Sequence, residues 1–133
     1  MAERHFEPAE VERLIPDLTR IVARLVQAQA EATVARERLQ AEQQRIGMAG
    51  GGLLDQAAWR RDAERIAAQG RAMEEGLREI AALGGTVKDL GLGLVDFPHV
   101  RDGRVVNLCW KYGERSIGYW HGLDEGYTAR RPL

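Results

Sequence analysis

The side chains able to do chemistry crowd into the last 50 residues. Asp96, Cys109, Glu114 and His121 are all metal-ligand types. Their spacings of 13, 5 and 7 match no ligand signature, and the chain has no CxxC, HxH or HExxH. Cys109 with His121 could form a thiolate–imidazole pair, its ring oriented by Asp96 or Glu114. Against this, Cys109 sits between Leu108 and Trp110, the setting of a buried thiol that acts as a small hydrophobe. Lys88, Lys111, Arg115, Arg130 and Arg131 stand among Trp and Tyr, the residue types that phosphate contact and base stacking use. Yet residues 84–133 carry 7 basic and 6 acidic groups, so no basic field faces a polyanion. Neither GxxxxGK[ST] nor GxGxxG occurs.

The balance of charge favours another arrangement. Lys88, Asp89, Asp96, Glu114, His121 and Arg130 are expected to pair with one another, with Arg130 answering Asp96, because polar groups buried in a small unit must find partners. With Cys109 they form one candidate polar cluster, for binding or for structure. No catalytic residue, metal or cofactor is assigned from the sequence.

These residues need a scaffold of period two. Leu92 to Phe97 reads as a strand ending at Pro98, Arg101-Asp102-Gly103 as a turn, and Arg104 to Lys111 as a second strand. Tyr112-Gly113-Glu114 is another turn, and Arg115 to His121 a third strand. The result is a three-stranded antiparallel meander. Alternation puts Val95, Phe97, Val106, Leu108, Trp110 and Trp120 on one face, and Asp96, Cys109, Lys111 and His121 on the other.

Before residue 84 the period is that of a helix. Val11, Leu14, Leu18, Ile21, Leu25, Ala28, Ala32, Ala35, Leu39 and Ile46 make a heptad stripe. Pro8 suits a helix start, while Pro16 should break the run into a short helix over 8–14 and a long one over 16–46. Gly47-Met48-Ala49-Gly50-Gly51-Gly52 ends it as a flexible connection. Asp55 is the N-cap of a second helix over 55–83, whose stripe is Trp59, Ala63, Ile66, Gly70, Met73, Leu77 and Ile80. Two such helices fold back as an antiparallel, coiled-coil-like hairpin. The turn places Ala32 roughly opposite Gly70. A second apolar line runs along the first helix, Ile15, Val22, Val26, Ala30 and Val34; the C-terminal piece is expected to cover part of it, and the rest predicts a homodimer through the hairpin.

Composition follows the same division. Of 18 alanines, 17 precede residue 83, whereas 6 of 8 aromatics lie from Phe97 onward. At 133 residues with a net charge of −1, the chain suits one domain overall: a helical hairpin over 1–83 and a β unit over 84–133. No stretch reaches the ~18–20 apolar residues that cross a bilayer. The N-terminus lacks the apolar core of a secretory signal. One cysteine fits a reducing cytoplasm.

Several motifs carry a family resemblance. They are Val87-Lys88-Asp89, Gly93-Leu94-Val95-Asp96-Phe97-Pro98, Leu108-Cys109-Trp110-Lys111, Gly113-Glu114, Trp120-His121 and the closing Arg130-Arg131-Pro132-Leu133. With Phe6-x-Pro8-x-Glu10 and Leu14-Ile15-Pro16 near the start, the chain resembles the bacterial family called domain of unknown function 2203. The resemblance implies a small bacterial cytoplasmic protein and brings no activity, cofactor or catalytic residue. The sequence therefore predicts an α+β protein that works as a non-enzymatic interaction or assembly module. A protein partner or small ligand would meet its β unit, and nucleic acid and membrane would not. The alternative is a small ligand- or metal-binding protein, catalytic or not, with a polar pocket in the β unit.

Overall fold

A computed structural model describes residues 4–48 and 55–133. The layout is α+β: two helices packed antiparallel, followed by an antiparallel sheet. Helix α1 spans Pro8–Met48 and α2 spans Gln56–Leu83. The sheet comprises β1 (Thr86–Asp89), β2 (Leu94–Arg101), β3 (Arg104–Lys111), β4 (Tyr119–His121) and β5 (Arg131–Pro132), paired in chain order. Its five strands exceed the expected three, because the short β1 and β5 close the edges of the meander. The third expected strand is shorter, starting at Tyr119 rather than Arg115.

Helix α1 begins as its sequence suggests. Glu10 reaches back to accept the Glu7 backbone N–H at 2.9 Å, and Pro8 fills the first helical position. The expected break at Pro16 does not occur; one helix runs through it. Pro16 and Glu12 are both exposed, so water can reach the Glu12 carbonyl that lost its partner. Buried Val11, Leu18 and Ile21 hold the turns on either side in register. Gly47 and Met48 still belong to α1, while the remainder of the expected glycine-rich connection, 49–54, lies outside the described residues. Asp55 caps α2 through its Oδ1, which accepts the Ala58 N–H at 3.0 Å.

The described residues gather into two compact units. In the unit formed by 27–75, α1 meets α2 through an Arg38–Asp62 ion pair and a Gln69–Glu31 hydrogen bond. Among the described residues its fully buried apolar side chains are Ala28, Ala32 and Ala35. The other unit, 4–26 with 76–133, holds the large core. Val11, Leu18, Ile21, Val22 and Leu25 of α1 and Ile80 of α2 are buried with Val95, Phe97, Leu108 and Trp110 of the sheet. Here the α2 stripe departs from expectation: Leu77 is 43% exposed, and Gly76 takes the buried position against Leu25. A Cβ on Gly76 would lie 2.6 Å from Leu25 Cδ2, so a side chain there would force Leu25 to shift.

Pro98 lies within β2 rather than ending it. Its carbonyl accepts the Phe6 N–H at 2.7 Å, so its backbone polar groups point away from β3 and the absent N–H costs no ladder bond. Helix α2 stops in a Schellman arrangement, with Gly85 N donating to Ile80 O and Gly84 N to Ala81 O. Gly84 has φ +99, and a Cβ there would meet Phe6 Cε2 at 2.7 Å. Phe6 in turn stands edge-on to Phe97, with ring centroids 5.2 Å apart.

Two glycines separate strain from crowding. Gly103 also has positive φ, +76, but a Cβ there would meet open space. Gly103→Ala should cost about 1 kcal/mol, the left-handed backbone penalty alone. Gly84→Ala should cost about 2–4 kcal/mol, because repacking of Phe6 adds to it. Urea unfolding of the two variants measures the difference. Equal losses would show that the Phe6 seat is not tightly packed.

Candidate functional site

Strand pairing assembles the site. In the β2–β3 ladder Asp96 stands opposite Cys109, and in β3–β4 Asn107 stands opposite His121. Period two puts Asn107 and Cys109 on one face, so Asp96, Cys109 and His121 share it. That face lies opposite the one carrying Val95, Phe97, Leu108 and Trp110 to the core. All three side chains are nevertheless buried, at 2%, 1% and 3% exposure. The chain after His121 lies over them, and with Lys88 and Leu94 it bounds a cavity of about 100 Å³.

Both nitrogens of the His121 ring are engaged. Nδ1 lies 2.8 Å from the Gly122 carbonyl oxygen, which can only accept, so Nδ1 carries a proton. Nε2 faces the Asp96 carboxylate, 3.2 Å from Oδ1 and 3.1 Å from Oδ2. Asp96 Oδ2 is fully buried and receives no hydrogen bond of good geometry. Burial pushes the Asp96 carboxyl above its usual range, against the pull of His121, the Cys109 thiol and Lys88. Burial, with the neighbouring Asp96 charge, also raises the Cys109 thiol, to about 12.

The expected cluster divides in two, with one outlier. Asp96, Cys109 and His121 converge, and their ligand atoms all lie within 4.8 Å of one another. Glu114 stands apart from them and pairs with Arg130 Nη1 at 3.0 and 3.2 Å, while its Oε1 also accepts the Lys111 N–H at 2.6 Å. The expected Asp96–Arg130 pair is therefore replaced by Asp96–His121 and Glu114–Arg130. Arg130 is stacked between Tyr119 and Tyr127, 4.1 and 4.5 Å from the ring centroids, and it also acts on the Cys109 thiol. Lys88 lines the cavity. Asp89 is the outlier: it caps the following turn by accepting the Leu92 N–H at 2.9 Å. No Cys109–His121 hydrogen bond forms, since the imidazole is committed to Gly122 and Asp96. Trp120 is half-buried rather than in the core, with the guanidinium carbons of Arg101 and Arg131 at 5.0 and 4.8 Å from its ring centroid.

The sequence did not single out Gly122, Glu125 or Tyr127. Glu125 accepts the Gly122 N–H at 2.8 Å and clamps Arg131 through both carboxylate oxygens, which fixes the covering segment. The acid and the tyrosine following His121 were a visible signal. Their return over the sheet was not, because it depends on β5 pairing with β4.

A family model of uncharacterised conserved proteins, domain of unknown function 2203, matches residues 4–133. The chain belongs to this family. No curated protein and no solved structure matches it. In this member of domain of unknown function 2203, Asp96, Cys109 and His121 fall together at the covered cluster, while Glu114 pairs with Arg130 beside it.

Two outcomes follow from these environments. Folded protein at pH 8 should resist iodoacetamide at Cys109 and react fully once unfolded in guanidinium, as mass spectrometry would read; fast labelling of the native form would contradict the buried, protonated thiol. Asp96 sets the second. Its folded pKa is raised, so the folded state holds this proton more tightly than the unfolded state does. The resulting stability is present below the unfolded value near 3.8 and is lost as pH rises through the folded value. In metal-free protein, Asp96→Asn should remove that fall. An unchanged pH–stability slope in the variant would assign the fall to another group.

Proposed function

We propose that the protein is a non-enzymatic module of interaction and assembly. Its helices self-associate as a coiled-coil-like homodimer, and its β unit recognises a partner protein or small ligand. The supporting observation is the thin core of the unit formed by 27–75, where the fully buried apolar side chains among the described residues are three alanines. Alanine burial contributes little area, and a two-helix unit of this size needs more to be stable. On the same unit Val34 is 45% exposed and Ala30 is exposed. They line a groove of about 570 Å³ whose rim is Gln27, Glu31, Arg65 and Gln69. An apolar floor with a rim of both charges suits a second copy of the same helix pair.

The chemistry of the β unit agrees with holding rather than turnover. The thiol is held protonated, and the imidazole is paired at both nitrogens. Recognition fits a broader cleft of about 710 Å³, where Trp120, Arg101 and Arg104 lie near Asp102 and Asp124. Its mixed charges favour a protein surface over a polyanion. A reducing bacterial cytoplasm is the setting we assign, supported by a single buried cysteine without a disulfide partner. The second reading, a small ligand- or metal-binding protein, is favoured by the convergence of Asp96, Cys109 and His121.

Sedimentation equilibrium at micromolar concentration should give twice the 14.8 kDa chain mass. Replacing both Ala30 and Val34 with Glu should shift the protein to the monomer. A wild-type protein sedimenting only at 14.8 kDa would overturn the assembly reading.

A further inference from the structure

Asp96, Cys109 and His121 offer one oxygen, one sulfur and one nitrogen donor to a single point between three strands. We propose that they form a binding site for a zinc-class divalent cation, with Asp96 Oδ2, Cys109 Sγ and His121 Nε2 as ligands and a fourth position open toward the cavity. The inference goes beyond the assembly reading and does not depend on it.

Four observations support it. The three ligand atoms already lie within 4.8 Å of one another. Tetrahedral zinc, with bonds of ~2.0–2.3 Å, sets its ligands ~3.3–3.8 Å apart, so the side chains need to close by about 1 Å. The His121 Nδ1–H is anchored on the Gly122 carbonyl at 2.8 Å, which leaves Nε2 as the coordinating nitrogen. Metal-binding histidines are typically fixed in this way by a second hydrogen bond. Asp96 Oδ2 is buried without a hydrogen bond of good geometry, so an acceptor lone pair lies idle inside the cluster. Beside the three groups is a cavity of about 100 Å³, room for a water or a small ligand on the fourth position.

Charge and donor type select the ion. A divalent cation with one carboxylate, one thiolate and one neutral imidazole sums to zero, the state that a dry interior tolerates best. The thiol proton and the proton held between Asp96 and His121 leave to solvent as the ion enters. A mixed N, O, S set excludes calcium and magnesium, which take oxygen ligands, and suits zinc or cobalt(II). Glu114 is not a ligand, because its carboxylate is committed to Arg130 and the Lys111 N–H. Lys88 lines the same cavity, and its charge acts on Asp96.

The test uses the full chain, without a histidine tag, stripped with chelator and titrated with cobalt(II). One equivalent should give a thiolate-to-cobalt charge-transfer band in the near ultraviolet and the intense visible bands of four-coordinate cobalt. Stoichiometric zinc should abolish both and raise Tm by several degrees. Cys109→Ser should lose the charge-transfer band, and His121→Ala should weaken binding by at least 10-fold. Should these variants not fold, Lys88→Met keeps the proposal open to test: removing the ammonium should tighten cobalt binding severalfold with an unchanged spectrum. The proposal is overturned if cobalt gives no thiolate band in the wild-type protein. It is equally overturned if folded Cys109→Ser binds cobalt with the wild-type spectrum, or if Lys88→Met leaves the affinity unchanged.

Discussion

The pairing of β2 with β3 is the constraint on which the rest of the molecule depends. Asp102 and Gly103, both at positive φ, form a two-residue turn between Arg101 and Arg104. That turn leaves no freedom in register. It sets Phe97 opposite Leu108 and Val95 opposite Trp110 on the core side, and Asp96 opposite Cys109 on the other. A slip of one residue would send the carboxylate into the helices and the phenylalanine out of the core. Fold and polar cluster are thus two faces of a single choice of register, and the side chains packed on the core face keep Asp96 and Cys109 together on the other.

The cluster is closed on its outer side by a different device. Glu125 holds both the Gly122 N–H and Arg131, and Arg130 spans from Glu114 to the vicinity of Cys109 between two tyrosine rings. Neighbouring arginines thereby fasten one segment at two points. The sheet is consequently covered on both faces, by helices on one and by its own tail on the other. This explains how residues as polar as Asp96 and His121 reach near-complete burial.

Legibility in the sequence followed the range of the forces. The heptad stripe of α1 was readable because helix periodicity is local, and Val11, Leu18, Ile21, Leu25, Ala28, Ala32 and Ala35 are all buried. The Asp55 cap and the Asp102-Gly103 turn were readable for the same reason. Local rules misled at Pro16, where tertiary anchoring of the flanking turns outweighs the breaker, and at Leu77, where close approach of Leu25 favours Gly76 instead. The membership of the cluster was visible as residue types. Its partition was not, since whether Arg130 answers Asp96 or Glu114 is decided by where β5 brings the tail. The strands β1 and β5 were missed because four and two residues carry too little alternation to register.

The seat of Phe6 bears on how the chain comes to be folded. Its ring rests against Phe97 and beside Gly84, its N–H bonds the Pro98 carbonyl, and its carbonyl bonds His99 Nδ1 at 2.7 Å. Residues separated by 93 positions therefore complete one another. During synthesis the start of α1 has no place to dock until β2 has emerged, and the covering segment has none until β4 and β5 have formed. The helices can form early, but their larger apolar residues stay uncovered until the sheet has emerged. Unit 4–26 with 76–133 can close only after β5 has emerged.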